Sequence, residues 1–140
     1  MRVEKVVTIA APAETVWDVL TDLESWPEVT ASVTSVERVD PGPLRIGSRV
    51  RIKQPRLPES EWTVTRLVDG QRFEWTSVSP GVTTTAVHAL LDSAGATTLR
   101  LEIEQTGPLS VVAGLLGRRL VRRYLDQESQ GIKERAESLA

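Results

Sequence analysis

The chain has 140 residues with 40% apolar and 26% charged side chains and a formal charge of −2, ordinary proportions for one globular domain spanning 1–140. It has no cysteine and one histidine, which excludes disulfides, cysteine nucleophiles, thiolate metal sites and a multi-histidine zinc site. Near-neutral charge gives no bulk attraction to nucleic acid, and neither a leader-like apolar run nor a stretch of about 18 apolar residues is present, so a cytoplasmic protein is expected.

Val3–Ile9 reads as a first strand. Pro12 and Glu14 suit the start of a helix, and Val16, Trp17 and Leu20 continue it with helical spacing over 13–22. "ESWPEV" follows as a short broken helix, because Pro27 disfavours helical geometry at Trp26. Six strands come next: 32–39, 48–54, 61–67, 73–78, 82–91 and 97–106. The "VDGQ", "SPG" and "DSAGA" turns join the last four into antiparallel hairpins. Leu109, Val112, Ala113, Leu116, Leu120 and Tyr124 then recur at three- and four-residue spacing, which predicts a long amphipathic helix over 109–138. Gly114 and Gly117 mark a soft spot in it, since each glycine costs about 0.5–1 kcal/mol relative to alanine. The apolar stripe of that helix and the apolar face of the strands each need a cover, so the helix is expected to lie across a curved antiparallel sheet.

Alternation along the strands sorts residues by face. Leu99, Leu101 and Ile103 share the covered face with Gln105, and Val50 and Ile52 share it with Gln54. Trp62 and Val64 form another covered row; Phe73, Trp75 and Ser77 a third; Ala86, His88 and Leu90 a fourth. The face of His88 stays open, because Val87, Ala89 and Leu91 are equally apolar. Glu74, Glu102 and Glu104 fall on the solvent side, so the covered rows hold no carboxylate pair. Neither a Gly-x-Ser-x-Gly elbow nor a glycine-rich phosphate loop is present.

The order of elements, together with "IAAPAETVWDVLTDLESWPEV" (9–29) and "HALLDSAGATTLRLEIEQTGPL" (88–109), resembles the START/Bet v 1-like (SRPBCC) superfamily, in particular its bacterial polyketide cyclase/dehydrase-like branch. The resemblance implies an α+β helix-grip fold: about seven antiparallel strands curved around a long C-terminal helix, with two short helices after the first strand. It also implies a cavity between sheet and helix. Members bind lipids, sterols, polyketides or hormones, and only some catalyse. Their catalytic residues form no fixed motif, so none is carried over.

With that geometry, Gln54, Ser77, His88 and Gln105 supply hydrogen bonds to a hydrophobic or amphipathic small molecule, and Trp62, Trp75 and Leu116 the apolar walls. No cofactor or metal is expected. Trp17 and Trp26 match positions that brace the first helices. The alternative function is a cyclase or dehydratase that moves protons through His88 in the same cavity. "LGRRLVRRY" (116–124) groups four arginines beside apolar residues, a composition suited to anionic lipid or an acidic partner. Asp126, Glu128, Glu134 and Glu137 make a balanced, solvated helix face the simpler reading, so membrane contact is not the expectation.

Overall fold

Seven strands form one sheet with all neighbours antiparallel; the first strand pairs with the seventh, and from there the order runs back through the sixth, fifth, fourth and third to the second. The computed structural model describes residues 1–140. The strands are β1 (Arg2–Ile9), β2 (Ser35–Arg38), β3 (Arg49–Lys53), β4 (Ser60–Val68), β5 (Arg72–Ser79), β6 (Val82–Ser93) and β7 (Ala96–Thr106). Helix α1 (Ala13–Thr21), a 3-10 turn (Leu23–Ser25) and α2 (Trp26–Val29) lie between β1 and β2, and α3 (Ser110–Leu139) ends the chain. This is the α+β helix-grip architecture.

Short hairpin loops place β4 to β7 side by side, and β1 closes one edge by pairing with β7 from Arg2↔Glu104 to Ile9↔Thr97. The core fills the space between the inner face of the sheet and the helices, with Ile9, Leu20, Leu23, Val64, Phe73, Leu99, Leu101 and Ile132 fully buried. A register shift in β4 between Val64 and Arg66 lets residues three apart face inward together, Val64 opposite Trp75 and Leu67 opposite Phe73.

Three local expectations change. Trp26 is helical (φ −54°, ψ −38°) despite preceding Pro27, and the proline sits in the first turn of α2, where its missing amide breaks no hydrogen bond. The Trp26 indole also donates to the Leu20 carbonyl at 3.1 Å, which fixes the chain there. β2 is shorter than 32–39: Thr30 and Ser32 are buried in a turn, their hydroxyls 2.7 Å apart, and regular pairing begins only at Ser35. Glu102 is on the outer face, as parity requires, yet it is buried there beneath the ion-paired side chains of Arg2 and Arg100.

The two halves of α3 differ in anchorage. The C-terminal half packs on β1 and α1 and is tied to them by Lys133 Nζ donating to the Thr8 carbonyl (2.8 Å) and by the Ala10 amide donating to Glu137 Oε2 (2.8 Å). A Cβ built on Gly131 would overlap the Val29 carbonyl oxygen, so glycine here permits close contact with α2. The N-terminal half is held at its base, where Leu109 N donates to the Gly81 carbonyl at 2.9 Å, and by Met1 against Gly114. The helix runs without interruption through Gly114 and Gly117.

Candidate functional site

Strand register arranges the inner face in graded rows. Leu101, His88, Phe73 and Leu67 lie across β7-β6-β5-β4 in the innermost of these, and Ile103, Ala86, Trp75 and Val64 in the next. Gln105 faces Thr84, which faces Ser77, so the third row turns polar at the end of the sheet. A cleft of about 610 Å³ opens over this third row. Its walls are the 54–63 segment, the ends of β5 and β7, and the stretch of α3 from Val121 to Glu128. Trp62 forms one wall, its indole donating to Ser60 Oγ at 2.9 Å and its ring 5.9 Å from that of Trp75.

A smaller recess of about 50 Å³ continues inward past Gln54, Trp62 and Glu128 to Trp75 and His88. His88 is buried, and its ring contacts with Trp26, Phe73 and Trp75 place it on the covered face. Its ring stacks on Phe73 at 4.1 Å and 11°, and Trp26 and Trp75 complete an aromatic enclosure. Nδ1 lies 3.4 Å from the Phe73 carbonyl and Nε2 3.5 Å from Glu128 Oε1. With Nδ1–H donating to that carbonyl, Nε2 and Oε1 face each other as two acceptors unless one of them carries a proton. The imidazole and the carboxylate therefore meet at the point where the recess joins the cleft.

Of the residues expected from sequence, Gln54, Trp62, Trp75, Ser77, His88 and Gln105 gather along this cleft and recess. Gln54 Nε2 donates to the Ser32 carbonyl at 3.2 Å, and Gln105 Nε2 approaches Thr84 Oγ1 at 3.5 Å. Leu116 does not join them; it is 85% exposed. A row of residues four apart precesses by about 40° per step around a helix, so the row begun at Val112 and Leu116 faces solvent and turns inward only by Tyr124. Glu128 is the opposite correction. Placed by sequence on the solvated face, it points inward and is 8% exposed, because it belongs to the row Val121, Leu125, Glu128, Ile132. Tyr124, one turn earlier, is also buried and lines the cleft. Burial pushes its phenol above the ordinary tyrosine range, against smaller opposing effects of Arg56 and Arg123, so it remains a donor at neutral pH. Three buried oxygens around the cleft have no hydrogen-bond partner: Tyr124 Oη, Glu128 Oε1 and Gln105 Oε1.

A sequence model described as polyketide cyclase / dehydrase and lipid transport matches residues 1–137. The chain belongs to that family. A protein of Streptomyces halstedii named "Putative polyketide cyclase" is 34% identical over 71 residues, a stretch spanning 47% of this chain and 62% of the relative. A START superfamily protein from Mycobacterium smegmatis superposes with a TM-score of 0.80 at 17% identity, over 99% of both chains. The Zhui aromatase/cyclase from Streptomyces sp. R1128 superposes with a TM-score of 0.71 at 20% identity, over 99% of this chain and 92% of its own. At these identities the structural likeness establishes a shared fold. What the family's fold does in this chain depends on the residues of the cleft.

Proposed function

We propose that the cleft binds an apolar, oxygen-bearing small molecule of polyketide or amphipathic lipid type. The observation that carries this is that three residues lining one cleft beside Trp62, namely Gln105, Tyr124 and Glu128, each keep a buried side-chain oxygen without a partner. Buried polar atoms without partners cost about 1–3 kcal/mol each and are rare in native proteins, so a partner supplied by a ligand accounts for them together. A volume of about 610 Å³ lies within the range of small-molecule sites. Tyr124 offers a donor to a ligand carbonyl, whereas Glu128 and Gln105 Oε1 offer acceptors to ligand hydroxyls. The fitting ligand therefore carries both functions on an apolar frame.

Titration of the purified protein with hydroxylated aromatic ketones and with long-chain fatty acids, read by tryptophan fluorescence, tests this directly. Saturable one-to-one binding is expected, preferring the ketones, and Tyr124→Phe should weaken it by roughly fivefold, the loss of one hydrogen bond. Absence of saturable binding to either class would refute the reading.

A second reading, proton-transfer catalysis, is favoured by the His88–Glu128 contact. A ligand ketone reaching the recess would place its α-carbon beside a base and its departing hydroxyl beside an acid. Aldol closure followed by loss of water requires both. Release of water from a β-hydroxyketone probe, followed by absorbance and abolished in His88→Ala, separates this enzyme from a carrier.

A further inference from the structure

The N-terminal half of α3 carries an exposed apolar group and a basic group that the cleft does not use. Val111, Val112, Leu115 and Leu116 are 70%, 53%, 81% and 85% exposed. Arg118, Arg119, Arg122 and Arg123 follow at once, all exposed. None of the four takes part in an ion pair; the molecule's pairs use other cations. At about 100° per residue, all eight side chains fall within a single arc of roughly 160° on the helix. Gly114, Tyr124, Leu125 and Glu128 occupy the opposite side, turned to the protein. The next acid on the outward arc, Asp126, is already paired with Lys5 at 3.2 Å.

The two groups are thus separated along the helix axis, not around it. Their centres are about 10 Å apart at 1.5 Å per residue, matching the depth to which interfacial helices enter a bilayer. We propose that this end of α3 docks the protein on an anionic phospholipid surface, the valines and leucines entering the acyl boundary and the arginine band resting among the lipid phosphates. Arginine stems suit that position, since they lie along apolar surface while the guanidinium reaches phosphate. Exposed Val78, at the rim of the cleft, and Leu109, seated over Gly81, extend the apolar end towards the cleft mouth. A second copy of the chain is a poorer occupant. Meeting about a two-fold axis, it would set one arginine band against the other or against valine and leucine, with no free carboxylate on this face for either.

The test is co-sedimentation of the intact protein with vesicles of phosphatidylcholine alone and of phosphatidylcholine with about 30% phosphatidylserine, at low and high salt. Binding is expected only to the anionic vesicles and is expected to fall as salt rises. Arg118→Gln with Arg119→Gln should lower partitioning by about 25-fold, near fivefold for each arginine. Leu115→Asp with Leu116→Asp should abolish it, with the melting temperature unchanged because both side chains are exposed. No binding to anionic vesicles would overturn the proposal, as would equal binding to neutral ones or full binding by the leucine variant. A dimer in solution that Leu116→Asp converts to a monomer would overturn it in favour of self-association.

Discussion

Replacing Glu128 by leucine should make the protein more stable and less functional. Glu128 is 8% exposed, and its Oε1 accepts no hydrogen bond; His88 Nε2 lies 3.5 Å from it. Leaving such an oxygen unsatisfied costs about 1–3 kcal/mol, and removing it recovers that amount. Against this, the substitution strips His88 of its only carboxylate neighbour, a loss of about 1 kcal/mol at this long separation. Leucine is close in size and fills the site with apolar contacts to neighbours such as Leu125 and Ile103. The net gain is up to about 2 kcal/mol, and for 140 residues that is a rise of at most roughly 7 °C in melting temperature. Thermal denaturation followed by circular dichroism, beside ligand titration, measures both halves of the expectation. A fall of more than about 1 kcal/mol in stability would show that the carboxylate holds His88 in the fold, and would refute its assignment to the ligand.

Gly131→Ala should destabilise the protein by more than about 2 kcal/mol in urea denaturation, since its Cβ would overlap the Val29 carbonyl and α3 would have to lift from α2. Gly117→Ala meets open space and should instead add about 0.5–1 kcal/mol; unchanged ligand exchange rates in that variant would dispose of a flexible portal at this point of α3. His88→Ala should lower ligand affinity and cost about 3 kcal/mol of stability, more than one hydrogen bond, because the ring stacked on Phe73 leaves a cavity among aromatics. Glu137 sits below the ordinary glutamate range because it accepts the Ala10 amide and then Lys133 Nζ. A carboxyl depressed in the folded state stabilises above its unfolded value of 4.5 and ceases to do so as pH falls through the folded one. The difference in melting temperature between wild type and Glu137→Gln should therefore be present at neutral pH and vanish in acid.

Strand parity carried most of the site because each inward side chain of β5, β6 and β7 is fixed once one member of its row is known to be buried. The inward faces of Gln105 and Ser77 are legible on that ground; that of His88 is not, because its neighbours are equally apolar, and only its stack on Phe73 decides it. The bulge in β4 was not, since no residue near Thr65 announces an extra position; pairing with β5 alone determines it. On α3 recurrence at four residues does not make a straight stripe. Over 112–124 the row rotates by about 120°, which sends Leu116 outward and brings Tyr124 inward. The charge of Glu128 points to solvent, although Val121, Leu125 and Ile132 on either side follow the inward row. A charged residue interrupting an apolar row is the signal that was available, and it marks function more often than a charge among other charges.

The polarity of the inner face also bears on what the cleft can do with a bound molecule. Gln105, Thr84 and Ser77 form a row at the open end, whereas His88 and Glu128 lie at the inner end, separated from it by Ile103, Ala86 and Trp75. A ligand spanning both ends must present oxygen atoms at each and an apolar stretch between them. A simple hydrocarbon chain fills the middle and leaves the inner pair without a partner. A chain bearing oxygens at intervals satisfies both ends, and then one of its oxygens rests beside His88 Nε2 and Glu128 Oε1. The same geometry that selects such a ligand sets it against an acid and a base, so tight binding and slow proton exchange at that carbon should appear together. Deuterium uptake at the ligand's α-position, compared between wild type and Glu128→Gln, measures it. Uptake no faster than in buffer would leave the cleft as a carrier site alone.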